Sequence, residues 1–224
     1  MPTLDQSAVL FDLDGVLVDS RAPITGCIND ALIAHGLPSR PAESLVKFIG
    51  PPLVGAFAEL TGEAPNSALV ASCVSAYRTR YADVSLRETT VVPGMIAVLD
   101  ELVKRHRLAV ATSKPLRFAE PLLDALGLRS FFELCAGPEL DASAEEKAVT
   151  IAGALERLDC PRALMVGDRA LDIVGARRCS IPAVAVTWGA GSVEELRGAR
   201  PDAIVDAPDE LPGAIAAMMA TATN

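Results

Sequence analysis

Short apolar runs that alternate with helical patterns constrain the fold of this chain more than any other feature. Each run is a few residues long, rich in Val and Ala and apolar on both faces, which is typical of parallel strands covered by helices. The runs lie at residues 7–12, 108–112, 163–167 and 183–187, with a last one near 203–205. The intervening segments predict helices that begin near Pro93, Pro115, Glu145, Ala170 and Asp209. This alternation predicts a doubly wound, mostly parallel α/β sheet.

Residues 20–88 do not follow the alternation. They contain helical patterns without a convincing strand, at Pro23–His35, Pro41–Phe48, Leu53–Leu60 and Asn66–Tyr81. We therefore predict that residues 1–19 and 89–224 form an α/β core, and that residues 20–88 form an all-helical inserted cap.

Acidic residues follow two of the predicted strands. The first strand leads into DLDGVLVDS, where Asp12 and Asp14 are two apart and share one face of an extended chain, and Gly15 permits a tight turn. The run at 163–167 leads into GDRALD, which contains Asp168 and Asp172. Ligands of open parallel sheets gather at the carboxyl ends of the strands, so we expect these carboxylates to converge there.

Converging carboxylates need a counter-charge. One pair of like charges 4 Å apart repels by roughly 4 kcal/mol at an effective dielectric of 20. Ligands that are all oxygens select a hard cation, and Mg²⁺ is the usual ion when a phosphate group also coordinates it. The alternative is that these are ordinary loop and cap aspartates. Two Asp pairs, with Gly15 and Gly167 each next to one of them, favour a magnesium site.

Four segments together resemble the motifs of the haloacid dehalogenase (HAD) superfamily, in the order expected for that family. DLDGVLVDS resembles the first motif in its phosphatase form, and Thr112 in VATSKP resembles the second. Lys147 resembles the third-motif lysine, and GDRALD resembles the fourth motif. The helical insert resembles a type 1 cap, and the phosphoglycolate phosphatase-like and nucleotidase-like members are the most similar in pattern. The resemblance implies a Mg²⁺-dependent phosphomonoester hydrolase.

The resemblance also implies a role for each matching residue. Asp12 would attack the phosphorus, and Asp14 would act as general acid and base. The groups expected to hold Mg²⁺ are Asp12, the carbonyl of Asp14, and Asp168, with Asp172 as a ligand or an anchor. The groups expected to bind the phosphoryl group are Thr112, Lys147 and the backbone amides of Gly15 and Ser113. Lys114, the rival for the third-motif lysine, is expected at the rim. Lys47 in the cap segment KFIGPPL is expected to contact an anionic substrate.

Two other functions are compatible with the same scaffold. A sugar phosphomutase related to β-phosphoglucomutase would keep all the core residues and differ mainly in how its cap excludes water. A non-enzymatic regulatory protein is disfavoured, because a degenerate member should have lost Asp12, Asp14 or Asp168. The motifs leave the substrate open among phosphoglycolate, a nucleoside monophosphate and a sugar phosphate.

Composition narrows the class of partner and the compartment. A net charge of −9 disfavours binding to nucleic acid polymers and to anionic membranes. The first residues, MPTLDQSA, lack the basic and apolar segments of a secretory signal, and the five cysteines show no CxxC spacing. We therefore expect a cytoplasmic protein. The family resemblance implies that its partner is a small phosphorylated metabolite, and a monomer and a homodimer both stay open.

Overall fold

The structure is a computed structural model that describes residues 7–140 and 146–221. The strands are β1 Ser7–Phe11, β2 Val18–Asp19, β3 Thr90–Val91, β4 Arg107–Ala111, β5 Leu134–Ala136, β6 Arg162–Gly167, β7 Ala183–Val186 and β8 Ala203–Val205. The α-helices are α1 Arg21–Ala34, α2 Ala42–Leu45, α3 Leu53–Thr61, α4 Ala68–Glu88, α5 Met95–Leu102, α6 Leu116–Ala125, α7 Lys147–Leu158, α8 Ala170–Arg178, α9 Val193–Ala199 and α10 Leu211–Thr221. Short 3-10 helices occur at Val46–Phe48, Arg129–Phe131 and Pro208–Glu210.

The chain divides into two compact units. The first, which we call the core unit, consists of Met1–Asp19 and Val91–Asn224. The second, the helical unit, is Ser20–Thr90 and contains α1–α4. Within the helical unit, α4 packs against α1 and α3. The predicted insert, residues 20–88, lies inside the helical unit, and its function as a cap stays a prediction.

A six-stranded parallel sheet organises the core unit. Its strand order is β5-β4-β1-β6-β7-β8, so the first strand in the sequence lies near the middle. The pairing of β1 is parallel to β4 on one side and to β6 on the other. These features confirm the predicted doubly wound α/β class with a helical insert. The sequence pattern did not predict β2, β3, β5 or α9, and it ended the last helix of the insert at Tyr81 although α4 continues to Glu88.

The two faces of the sheet carry different side chains. One face is built from bulky residues such as Val9, Phe11 and Val110, and it packs against α5, α6 and α10. The other face is mostly alanine, including Ala8 and Ala109, and it packs against α7, α8 and α9. Alternate residues of a strand point to opposite faces, so one short sequence supplies both cores.

The strand ends place several acidic and polar residues at one edge of the sheet. Asp12 follows β1, and its backbone N–H donates to the carbonyl of Val166 at 2.9 Å. Thr112 follows β4, and Asp168 follows β6, so all three leave neighbouring strands in the same direction.

The helix predicted to begin at Glu145 begins at Lys147, and Glu145 itself lies outside the described residues. In the described ranges, no helix combines the length and the apolar character that crossing a membrane requires.

Candidate active site

The segment after β1 makes a tight turn that fixes Asp12 and Asp14. Gly15 adopts a φ of +88°, a backbone conformation that residues with a Cβ rarely adopt. The N–H of Gly15 donates to the carbonyl of Val18 at 2.8 Å and closes the turn. This amide therefore already has an acceptor, and the geometry does not support its predicted contact with the phosphoryl group.

Asp168 and Asp172 lie on either side of the start of α8. One oxygen of Asp168, Oδ2, accepts a hydrogen bond from the backbone N–H of Ala190 at 2.7 Å. Asp172 Oδ2 accepts from the backbone N–H of Arg169 at 3.1 Å. Asp12, Asp168 and Asp172 are all buried, and each offers one oxygen within 4.8 Å of the others. Of the four carboxylates that were predicted to converge, these three do so in the structure.

Glycines make room for the carboxylates. A Cβ on Gly15 or on Gly189 would lie 2.2 Å from Asp168 Oδ2, and one on Gly191 would lie 2.1 Å from the Asp168 carbonyl oxygen. A Cβ on Gly167 would lie 2.1 Å from the Cβ of Asp172. Real Cβ atoms do not approach other heavy atoms this closely, so any larger residue at these positions would displace the aspartates.

Lys147 supplies the counter-charge for two of the carboxylates. Its Nζ lies 2.7 Å from Asp12 Oδ1 and 2.8 Å from Asp172 Oδ1, and only 3% of its side chain is exposed. The residue begins α7, where the helix dipole disfavours a cation by about 0.3–1 kcal/mol. The ion pairs with Asp12 and Asp172 offset this unfavourable interaction with the helix dipole. The two carboxylates, and not the helix, therefore stabilise the ammonium group of Lys147.

Lys114 is a second buried lysine, and its predicted place at the rim is wrong. Its Nζ lies 2.8 Å from Asp14 Oδ2, and 6% of the Lys114 side chain and 11% of the Asp14 side chain are exposed. The strand before it, β4, is adjacent to β1, so the loop that follows β4 lies beside the turn that carries Asp14. The contact between Lys114 and Asp14 could not be predicted from the sequence, because the adjacency of β1 and β4 had not been predicted.

Thr112 and Ser113 belong to the same loop as Lys114. Thr112 is buried, and its Oγ1 accepts a hydrogen bond from the backbone N–H of Lys114 at 3.1 Å. The hydroxyl proton of Thr112 is therefore not used in that contact and can be donated to another oxygen. Ser113 is half-buried.

Burial and mutual repulsion govern the protonation of this cluster. Burial raises the pKa of the Asp12 carboxyl from 3.8 to about 6; Lys147 opposes the shift, and Asp172 adds to it. Burial, reinforced by Asp172 and Asp12, raises the pKa of Asp168 well above its usual value. Burial alone would lower the pKa of Lys147, but Asp12 and Asp172 outweigh it and raise that pKa, so the ammonium stays charged at neutral pH.

The carboxylate cluster fits a divalent metal ion. Asp168 Oδ1 is buried and has no hydrogen-bond partner among the residues that the structure describes. A buried carboxylate oxygen without a partner is costly, and coordination to a cation would satisfy it. The ligands available are all oxygens, which suits a hard cation such as Mg²⁺. Asp172 differs from Asp168, because both of its oxygens already accept from Lys147 or from Arg169.

The predicted substrate-contacting residue of the helical unit, Lys47, has an acidic neighbour. Its Nζ lies 2.5 Å from Glu59 Oε1, with 61% and 60% of the two side chains exposed. An exposed ion pair of this kind contributes only about 0–1 kcal/mol to stability. Breaking the contact with Glu59 would therefore cost Lys47 little free energy.

The chain resembles known proteins in both sequence and structure. The family model described as haloacid dehalogenase-like hydrolase matches residues 9–186. A 5'-nucleotidase of Pseudomonas aeruginosa is 37% identical over 86% of this chain and 88% of its own. A phosphoglycolate phosphatase of Caulobacter vibrioides is 33% identical over 83% and 81% of the two chains. The crystal structure of a predicted phosphatase from Clostridium acetobutylicum superposes with a TM-score of 0.88 and 35% identity, over 93% of this chain and 97% of that one.

Proposed function

The chain belongs to the haloacid dehalogenase-like hydrolase family, and on that premise we propose that it is a Mg²⁺-dependent phosphatase of small phosphomonoesters that works through a phosphorylated Asp12. The observation that carries the proposal is the cluster of Asp12, Asp168 and Asp172, two of which, Asp12 and Asp172, pair with buried Lys147. Relatives named for two different substrates support the reaction class and leave the substrate open.

In the first step, a carboxylate oxygen of Asp12 attacks the phosphorus of the substrate. A new oxygen–phosphorus bond forms at Asp12 while the bond to the substrate's alcohol oxygen breaks. Asp14 gives a proton to that oxygen, so the alcohol leaves in neutral form. Lys147, the Thr112 hydroxyl and the Ser113 amide bind the phosphoryl oxygens and stabilise the charge that they carry.

In the second step, a water molecule attacks the phosphorus of phosphorylated Asp12. Asp14, now a carboxylate, takes the proton of that water, inorganic phosphate leaves and Asp12 is regenerated. Asp12, Asp168 and the carbonyl of Asp14 would hold Mg²⁺, with Asp172 as an anchor. When bound, the ion supplies positive charge that offsets the repulsion between phosphate and carboxylates.

A phosphate-release screen tests the proposal. We expect the purified protein to release phosphate from at least one small ester among phosphoglycolate, nucleoside monophosphates and sugar phosphates, with Mg²⁺ and not with EDTA. Release that is unchanged by EDTA would contradict the metal dependence, and no release from any ester would contradict the reaction class. Conversion of a sugar phosphate to its isomer without phosphate release would instead support the mutase alternative.

The two aspartates that flank the start of α8 should differ in their effect on metal binding. Asp168 has the oxygen without a partner, whereas both Asp172 oxygens accept hydrogen bonds. We therefore expect Asp168→Asn to abolish measurable Mg²⁺ binding in calorimetry, and Asp172→Asn to weaken the binding by about 10–100-fold. An equal loss of affinity in the two variants would show that Asp172 is a direct ligand.

We further propose that Lys47 contacts an anionic group of the substrate beyond the phosphoryl group. Since a charged hydrogen bond contributes about 1.5–3 kcal/mol, Lys47→Ala should lower kcat/KM for the best anionic-tail substrate by about 10–150-fold. Activity on p-nitrophenyl phosphate, which lacks such a group, should change little.

Glu59→Gln is the matched control for Lys47. It removes the acidic neighbour and keeps Lys47, so kcat/KM should stay within about fivefold of wild type, because the exposed pair is weak. Equal losses on both substrates in Lys47→Ala, or no loss on either, would exclude Lys47 as a specificity residue.

A further inference from the structure

Each of the two reacting aspartates has its own buried lysine. Asp12 pairs with Lys147 and Asp14 pairs with Lys114, at 2.7 and 2.8 Å respectively. In the proposed reaction Asp12, Asp14 and Lys147 each have a role, but Lys114 has none. Only 6% of the Lys114 side chain is exposed. Burying an ammonium ion costs free energy unless the ion is paired, so the buried position of Lys114 needs an explanation.

The loop that carries Lys114 is held in place independently of Asp14. The N–H of Lys114 donates to Thr112 Oγ1 at 3.1 Å, and the N–H of Leu116 donates to the Pro138 carbonyl at 3.0 Å. A Cβ on Gly137 would lie 2.8 Å from the Lys114 carbonyl oxygen, so the loop lies directly against the backbone there. The backbone of Lys114 is therefore held in position by its neighbours in the core unit.

The turn at Gly15 fixes the backbone of Asp14, and two side-chain torsions then set the direction of its carboxylate. A general acid transfers its proton efficiently only within hydrogen-bond reach of the oxygen that receives it, about 2.6–3.2 Å. Rotation of the Asp14 carboxylate away from the leaving group would therefore cost rate without changing any group that binds the phosphoryl oxygens.

We propose that Lys114 is a positioning residue, which holds the Asp14 carboxylate by one oxygen in the orientation needed for proton transfer to the leaving alcohol. Proton transfer itself belongs to Asp14: Lys114 donates a hydrogen bond to Asp14 Oδ2, and the other oxygen carries the proton that goes to the leaving alcohol. This inference rests on the proposed function, since it presumes that Asp14 protonates a leaving group.

The test compares leaving groups that need a proton with one that does not. An alkoxide is a poor leaving group without protonation, whereas p-nitrophenolate is stable as an anion. We expect Lys114→Met to lower kcat/KM for glycerol 2-phosphate by about a hundredfold and for p-nitrophenyl phosphate by less than about fivefold. The tail of glycerol 2-phosphate is uncharged, which removes any direct pairing of Lys114 with the tail. Lys104→Met, at an exposed position, should leave both values unchanged.

A double-mutant cycle separates positioning from substrate binding. In an Asp14→Asn background there is no carboxylate to orient, so Lys114→Met should change the residual rate on glycerol 2-phosphate by less than about threefold. The double variant removes both members of the Lys114–Asp14 pair, so the cycle stays informative if Lys114→Met alone does not fold.

The outcomes distinguish failure of the inference from failure of the proposed function. Equal losses on the two esters in Lys114→Met, or a full additional loss in the Asp14→Asn background, would overturn the positioning role while the phosphatase reaction stands. A wild-type protein that hydrolyses neither these two esters nor any other would overturn the proposed function and this inference with it.

Discussion

Asp12→Asn is expected to lower turnover by at least about a thousandfold, which corresponds to about 4 kcal/mol of transition-state stabilisation. The amide cannot form the phosphorylated intermediate, and it is a weaker metal ligand than a carboxylate. The substitution keeps an acceptor oxygen for Lys147, which lies 2.7 Å from Asp12 Oδ1, so the fold should be retained. Phosphate release from the best ester of the screen measures the effect, and turnover within tenfold of wild type would rule out Asp12 as the nucleophile.

The same variant should be more stable than wild type when no metal is present. The folded protein holds the Asp12 pKa at about 6 against 3.8 for the free side chain, so the folded state resists ionisation of this group. The stability contributed by protonated Asp12 is present below pH 3.8 and lost as the pH rises through about 6. The gain in unfolding temperature from Asp12→Asn in EDTA should therefore be largest near pH 8 and should shrink as the pH falls towards 4. Asp124→Asn, on the exposed face of α6, is the control and should show neither effect.

Lys147→Met is expected to reduce both stability and activity. It leaves Asp12 and Asp172 buried without their shared cation, and removing one partner from a buried ion pair costs about 3–5 kcal/mol of unfolding free energy. Activity of the folded protein should fall by about 10²–10³-fold, because the variant loses the ammonium that we propose as a donor to the phosphoryl oxygens. Urea denaturation in EDTA and phosphate release under folding conditions measure the two effects separately.

Lys104→Met provides the comparison for Lys147→Met. Lys104 is an exposed lysine beyond the end of α5, so the same change in residue type should alter the free energy of unfolding by no more than about 0.5 kcal/mol. A loss below about 1 kcal/mol in Lys147→Met, together with activity within tenfold of wild type, would show that Lys147 is not needed by the carboxylate cluster.

The hydrophobic pattern predicted most of the sheet because each long strand is apolar on both faces. β1, β4, β6, β7 and β8 lie where the runs of Val and Ala indicated them, within one residue at each end. β5, Leu134–Ala136, was missed because a run of three apolar residues is too short to distinguish a strand from a buried loop; β8 is equally short, and the pattern placed it only approximately. α9, Val193–Ala199, is only seven residues long and lacks a long periodic pattern.

The positions of Asp12 and Asp168 could be predicted, because the residue that follows a parallel strand lies at the carboxyl edge of the sheet. The position of Lys147 could be predicted from the start of its helix. The direction of a loop side chain has no such rule, so Lys114 was placed at the rim, although it pairs with Asp14 in the interior. The amide of Ala190, which binds Asp168, was equally unpredictable, because every residue except proline carries such a group.

The glycines that surround Asp168 and Asp172 limit how this protein can change over time. Gly15, Gly167, Gly189 and Gly191 carry no functional group, yet each lies where a methyl group would collide with one of the two aspartates. Evolution or engineering cannot enlarge these four positions without moving the carboxylates. The tolerance of the site to mutation is therefore set as much by residues that do no chemistry as by those that do.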